Sequence, residues 1–209
     1  MNDNTTDLPM DKPSKMKRAI EMGFTTRAFH GTGAKFNEFD VEKGTANHSG
    51  FAPNFANIKG EAEGYANDQE NGRVLSVLLR IRKPLIVPDT WGVMPKDVPQ
   101  TDPDTYRLIT GGEGHLDNKR ERGLHNYDAI EHAMDVHYAN TGNFDRREIW
   151  TGIYGRLKSQ GYDAIIWKDV RADHTNGRYD KIVMLDMTGI RLITAKFDPA
   201  QSNSRDIRS

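Results

Sequence analysis

Apolar residues in this chain fall into short, separated runs, and the period of each run predicts an element. Residues 74–82 alternate: Leu75, Val77, Leu79 and Ile81 face one way, while Ser76, Arg80 and Arg82 share the other with Val74 and Leu78. That period of two is the mark of a half-buried strand. Lys83-Pro84 breaks it and 85–87 resumes it. Further strands are predicted at 27–30, 163–168 and 190–195, with an extended piece at 50–55. A buried strand over 180–186 carries Ile182, Val183, Met184 and Leu185. Helical spacing appears at 14–22, capped by Ser14, with Met16, Ile20 and Phe24 inward and Gly23 as the stop. It appears again at 58–66 with Ala62 and Tyr65, from Asn126 with Ile130, Met134 and Tyr138, and from Asn143 with Ile149, Ile153 and Leu157 up to Gly161. Residues 33–49 read as a loop pinned by Phe36 and Phe39, 88–123 as a long surface excursion that folds over a site, and 170–179 as a polar loop. Strands and helices without regular alternation predict an α+β fold, not a doubly wound sheet.

Composition narrows this picture. The 209 residues suit one domain over 13–200, with a disordered lead at 1–12, a helical and loop insertion at 88–143, and a flexible tail at 201–209. Lys+Arg 29 against Asp+Glu 30 gives a net charge of −1, so no whole-chain basic field argues for nucleic acid. The absence of cysteine excludes disulfides and thiolate zinc sites and suits a reducing cytosol. No apolar run approaches the ~18 residues of a membrane span, and the polar start lacks the apolar block of a signal peptide. A cytoplasmic protein without membrane partners is expected.

Three stretches carry candidate chemistry. Arg27-Ala28-Phe29-His30-Gly31-Thr32-Gly33 ends a strand on a histidine followed by glycines and a hydroxyl; glycines there let a ligand approach the main chain. Asn54-Phe55-Ala56-Asn57 followed by Tyr65 on a helix can form a slot for a flat heteroaromatic ring, although taken alone Phe55 and Tyr65 read sooner as core aromatics. In Tyr179-Asp180-Lys181-Ile182-Val183-Met184, an acid stands at the mouth of a buried strand. His132 and His137 lie five apart, off the spacing of a helical zinc pair, and His48, His115, His125 and His174 show no ligand spacing. No metal is expected. Trp91, Trp150 and Trp167 read as core or rim anchors.

In this order the three stretches resemble the ADP-ribosyltransferase superfamily, in its histidine–tyrosine–glutamate branch. That branch includes the poly(ADP-ribose) polymerases and toxin-like domains of phage and bacterial polyvalent proteins. His30-Gly31-Thr32 matches the first motif. Phe55-Ala56-Asn57 with Tyr65 matches the second, and Asp180-Lys181-Ile182-Val183-Met184 the third. The match also takes in Lys83-Pro84-Leu85-Ile86-Val87 and Ala195-Lys196-Phe197-Asp198-Pro199. Two departures stand out: the third-motif acid is aspartate, and Asn54 occupies the place of a ring-stacking tyrosine.

The resemblance implies a split β-sheet core with flanking helices and NAD as substrate. Loss of neutral nicotinamide leaves an oxocarbenium-like ribose, whose charge Asp180 would favour. Gly31 would hold the nicotinamide amide, Tyr65 would stack on its ring, and His30 would fix the other ribose. Thr32, Asn54 and Phe55 would complete the binding site. Asp169 and Asp173 are alternatives to Asp180 as the functional carboxylate. The implied activity is mono-ADP-ribosylation of a macromolecular acceptor, a host protein ahead of nucleic acid, by a phage or bacterial effector or toxin in the host cytosol. Arg178 stands where arginine-modifying members carry Gln or Glu, which disfavours arginine as acceptor. The rival readings are an NAD glycohydrolase, a non-catalytic binding module of the same fold, and a relative of the RNA 2′-phosphotransferases.

Overall fold

The computed structural model describes residues 8–44, 50–88, 103–111 and 126–209. Helix α1 (Lys12–Glu21) leads into strand β1 (Thr26–Thr32), followed by β2 (Asn54–Ala56), α2 (Lys59–Asn67), β3 (Arg73–Leu79) and β4 (Pro84–Pro88). Three helices come next: α3 (Pro103–Thr110), α4 (Asn126–Thr141) and α5 (Arg146–Ser159). The chain closes with β5 (Ala164–Arg171), β6 (Arg178–Met184) and β7 (Ile190–Leu192). The strands make one sheet in the order β4-β5-β6-β2-β1-β3-β7. Among the described strands, β4 and β5 are the pair that runs parallel, an arrangement that needs a long crossover such as the helical connection between them. The expected α+β architecture is present.

Strands β1 and β3 pair in continuous register from Thr26↔Leu79 to Thr32↔Arg73. The β1–β2 register, in contrast, consists of one pair, Phe29↔Ala56. The sheet therefore opens in its middle, and that opening positions the site. The predicted alternation of β3 holds: Leu75, Val77 and Leu79 belong to the core on one face. Its other face is buried as well, since Leu78 joins Ala19 and Phe24. Arg80 is buried too, because its guanidinium stacks on Phe24 at 5.1 Å, with Arg191 at 5.2 Å. Helices α3, α4 and α5 cover β4–β6 through a core centred on Trp150, Ile153, Leu157, Ile165 and Val183.

Several boundaries differ from expectation for local reasons. Asp11, not Ser14, caps α1, its carboxylate accepting the Ser14 N–H at 2.9 Å, and Ile20 is exposed. Asp145 caps α5, whose first residue, Arg146, lies three residues after the expected start at Asn143. A helix, α3, stands inside the expected excursion; residues 89–102 and 112–123 of that stretch lie outside the description, as do 124–125. So do residues 1–7 of the lead, Trp91, His48, His115 and His125, and the side chain of His132. Over 201–209, where a flexible tail is predicted, the chain returns to the sheet instead. Ile207 is buried, its carbonyl accepts the Leu192 N–H at 2.7 Å, and its N–H reaches the Asn37 carbonyl at 2.8 Å.

Candidate functional site

A cleft of about 960 Å³ lies at the opening between β1 and β2, within the size range of small-molecule sites. His30, Gly31, Thr32, Asn54, Phe55 and Tyr65 all line it, as do Tyr179 and Lys181 of β6. Asp180 does not. Along β6, strand alternation turns Asp180 away from its neighbours Tyr179 and Lys181. Ala56 stands opposite both Phe29 and Lys181, so these side chains share a face with Gly31, Asn54 and Tyr179. Phe55 stands opposite Ile182, which puts His30 and Asp180 on the reverse face.

His30 fills the opening where the β1–β2 ladder stops. Its Nδ1 lies 2.7 Å from the Asn54 carbonyl, and since a carbonyl only accepts, Nδ1 carries the proton. Nε2 is thereby left as an acceptor in the neutral ring. The imidazole sits among Phe36, Phe39 and Phe55, with ring centroids 6.4, 5.0 and 5.4 Å away. Burial among these rings lowers its pKa, against the opposing pull of the Asn54 carbonyl. The histidine is therefore held neutral, suited to accept a hydrogen bond from a hydroxyl.

Gly31 is dictated by packing. A Cβ there would press into the Ala62 carbonyl and stand 2.9 Å from the Ala66 nitrogen, so only glycine lets α2 lie against β1. That contact brings Tyr65 over the cleft. Burial raises the Tyr65 pKa to about 12, assisted by the negative charge of Asp173. The phenol is therefore protonated at neutral pH, and its O–H donates a hydrogen bond to Asp173 Oδ2 at 3.1 Å. The Tyr179 hydroxyl bonds in turn to that of Tyr65, and burial pushes the Tyr179 pKa up. Sequence reasoning passed over Tyr179 and Lys181; the signal was available, since both flank the singled-out acid and must share the face opposite to it.

Asp180 is engaged elsewhere. It forms an ion pair with Lys168 and accepts the Asp169 N–H at 3.3 Å. A bulge between Trp167 and Val170, with Asp169 at φ +55°, aims both donors at it. Asn57, beyond the end of β2, closes the ladder: its Oδ1 accepts the Asp180 N–H at 2.9 Å. The structure thus brings His30, Gly31, Thr32, Asn54, Phe55 and Tyr65 together and leaves the Asp180 carboxylate outside their cleft.

The cleft suits a dinucleotide ending in a carboxamide-bearing ring. Asn54 Oδ1 is buried in its wall with no hydrogen-bond partner among the described residues, an acceptor matched to the N–H groups of an amide. Tyr65 offers an aromatic face, and Lys35, Lys43 and Lys181 lie along the same walls, where phosphate charge would be balanced. Among the described residues no cluster of metal-binding side chains occurs, and no helix is long and apolar enough to cross a membrane. Trp150 and Trp167 are core residues, and His137 Nε2 lies 3.6 Å from the Glu148 carboxylate.

Residues 21–204 match the family model described as ADP-ribosyltransferase in polyvalent proteins. No curated protein and no solved structure matches the chain.

Proposed function

The chain belongs to the ADP-ribosyltransferase domains of polyvalent proteins, and from that premise we propose that it is an NAD-dependent mono-ADP-ribosyltransferase. Its acceptor would be a macromolecule, a protein ahead of nucleic acid, and its setting a phage or bacterial effector acting in the cytosol of a host cell. The observation that carries the reading is the convergence of His30, Asn54 and Tyr65 on one cleft. They come from β1, β2 and α2, which no local feature of the sequence forces together.

In this reading NAD enters with its nicotinamide against Tyr65 and its carboxamide at Asn54 Oδ1. Neutral His30 accepts a ribose hydroxyl at Nε2, and its burial keeps that acceptor available below the usual histidine range. The nicotinamide–ribose bond breaks with its electron pair leaving on the ring nitrogen, so the positive charge of the pyridinium passes to the ribose as an oxocarbenium. Fixed charges and dipoles facing such a charge are commonly worth about 3 kcal/mol each.

A second reading has its own support. With Asp180 tied to Lys168, the cleft lacks the strand acid that the family resemblance supplies, and a module that binds NAD without cleaving it fits that arrangement. Incubation of the purified chain with adenylate-labelled NAD and a bacterial lysate separates the readings. Label on one or a few protein bands supports the transferase, and free ADP-ribose alone supports the glycohydrolase. Bound but intact NAD supports the non-catalytic module.

A further inference from the structure

We propose that residues 205–209 clasp one wall of the cleft and that Arg205 is a positioning residue for NAD binding. The proposal rests on the NAD reading of the cleft and names a part of the chain that sets affinity there. The wall is the 34–40 segment, every residue of which lines the cleft. It belongs to no strand or helix, so its place is set by bonds from elsewhere. Among the described residues, three arginines hold this stretch and its continuation, each donating to a main-chain carbonyl. Arg73 of β3 reaches Ala34 at 3.0 Å, Arg205 reaches Phe39 at 2.8 Å, and Arg147 of α5 reaches Gly44 at 2.8 Å. The Ile207 N–H adds a bond to the Asn37 carbonyl at 2.8 Å. The bonds to Asn37 and Phe39, in the body of the wall, thus both come from 205–209.

That segment can hold the wall because it is itself anchored to the sheet and to the core. The Ile207 carbonyl accepts the Leu192 N–H at 2.7 Å, and the Arg208 and Ser209 carbonyls accept those of Lys196 at 3.1 Å and Phe197 at 3.2 Å. Asp206 closes its turn, the carboxylate taking the Arg208 N–H at 2.9 Å and the Arg208 guanidinium at 2.9 and 2.8 Å. Ile207 is buried in the same apolar cluster as Phe39, Phe55 and Ile182. The clasp lies just past residues 21–204, which the family model matches.

The consequence falls on His30. Its imidazole is held by the Asn54 carbonyl at Nδ1 and packed by Phe36 and Phe39, two rings that the wall carries. Phe39 meets His30 edge-on at 5.0 Å, and its own carbonyl is the atom that Arg205 holds. Fixing the wall at Phe39 therefore fixes the direction of His30 Nε2, the acceptor for the ribose hydroxyl. With the wall loose, NAD must order these groups as it binds, and affinity falls. Bond breaking in NAD that is already seated is unaffected. The Arg205 side chain is 46% accessible, with Nε 3.9 Å from Glu38 Oε2 on the same wall, so its replacement leaves the core intact.

The test measures NAD affinity by calorimetry, nicotinamide release and amide exchange in the wild type, Arg205→Met, Arg205→Lys and Arg208→Met. Arg208→Met is the control, because the Arg208 side chain bonds to Asp206 within its own segment. The expected result for Arg205→Met is a Kd for NAD weaker by about tenfold, with kcat for nicotinamide release retained. Exchange of the Ile207 amide should quicken while β1 and β3 stay protected. Arg205→Lys, which keeps a donor, should recover part of the affinity, and Arg208→Met should match the wild type. The affinity readout serves equally for a chain that binds NAD without cleaving it. An unchanged Kd in Arg205→Met overturns the proposal and leaves the NAD reading standing, since the segment is then a structural tie alone. So does a loss of affinity in Arg208→Met equal to that in Arg205→Met. Absence of NAD binding in the wild type removes the NAD reading itself, and the role of Arg205 with it.

Discussion

Asp173 and Asp180 stand seven residues apart in one hairpin, and their carboxylates answer to different neighbours. Asp180 lies on a regular strand, where alternation sets its direction, and a bulge in β5 supplies a lysine and a backbone N–H to hold it. Asp173 lies in a loop, where nothing periodic sets its direction, and a buried glutamate on α2 fixes the backbone on which it is carried. The sequence places an acid at the mouth of β6. Only the pairing of β6 with β2 decides which face that acid takes, and a shift of one residue exchanges the two faces.

The comparison can be broken most severely from the α2 side, on which Tyr65 and Glu61 both depend. Gly31→Val should push α2 off β1, costing about 3 kcal/mol by overpacking. Thermal unfolding would record the loss, and a wild-type midpoint would mean that α2 is not packed on β1 as described.

Next comes the loop. Glu61→Gln leaves a buried site with a donor group where two backbone N–H groups need acceptors, at a cost of about 2 kcal/mol. Amide exchange at Asp173 and His174 should accelerate while Ile182 and Val183 stay protected. Unchanged exchange at the loop amides would remove the strap from the account.

Tyr65→Ala sharpens the comparison at the ring slot. It should weaken NAD binding by about 1 kcal/mol, roughly fivefold in Kd, as read by calorimetric titration. An unaltered Kd would place the nicotinamide elsewhere.

A smaller effect follows from His30. Its pKa in the folded chain is lowered below the model-peptide value of ~6.5. The folded state thus binds fewer protons than the unfolded one as pH falls. The stability tied to neutral His30 is fully present above about pH 6.5 and declines as pH drops toward the folded-state pKa. Urea midpoints for the wild type should fall between pH 7 and 5 by more than those for His30→Phe, and parallel curves would contradict the neutral assignment.

The smallest change is expected for Lys168→Met. The Lys168–Asp180 pair is partly exposed, with side chains 44% and 21% accessible, and such pairs contribute up to about 1 kcal/mol. Stability should therefore move little and turnover less. A large fall in the unfolding midpoint would contradict the weak, partly exposed pair.

Much of this was legible in the residues. The period of two in β3 located its two faces, and His30, Asn54, Phe55 and Tyr65 were picked out by motif order and do line one cleft. Helices α4 and α5 followed from Ile130, Met134, Ile149, Ile153 and Leu157, all of them buried. What failed to show had tertiary causes. Arg80 reads as a residue on the outer face of its strand, yet it is buried with Arg191, held by the ring of Phe24 and the carbonyls of Thr188, Ile190 and Gln201. The 201–209 segment is polar in composition, and it is docked beside Leu192 by buried Ile207 together with the bonds of Lys196 and Phe197 N–H to the Arg208 and Ser209 carbonyls and of Arg205 to the Phe39 carbonyl. Gly31 looked like an opening for a ligand, but its missing side chain also makes room for α2. The face taken by Asp180 depends on strand pairing between distant segments, which local spacing does not encode.

The most direct test is a structure of the chain with a non-hydrolysable NAD analogue. The account predicts the nicotinamide ring against Tyr65, its carboxamide at Asn54, and a ribose hydroxyl at His30. An analogue bound outside the β1–β2 opening would contradict it.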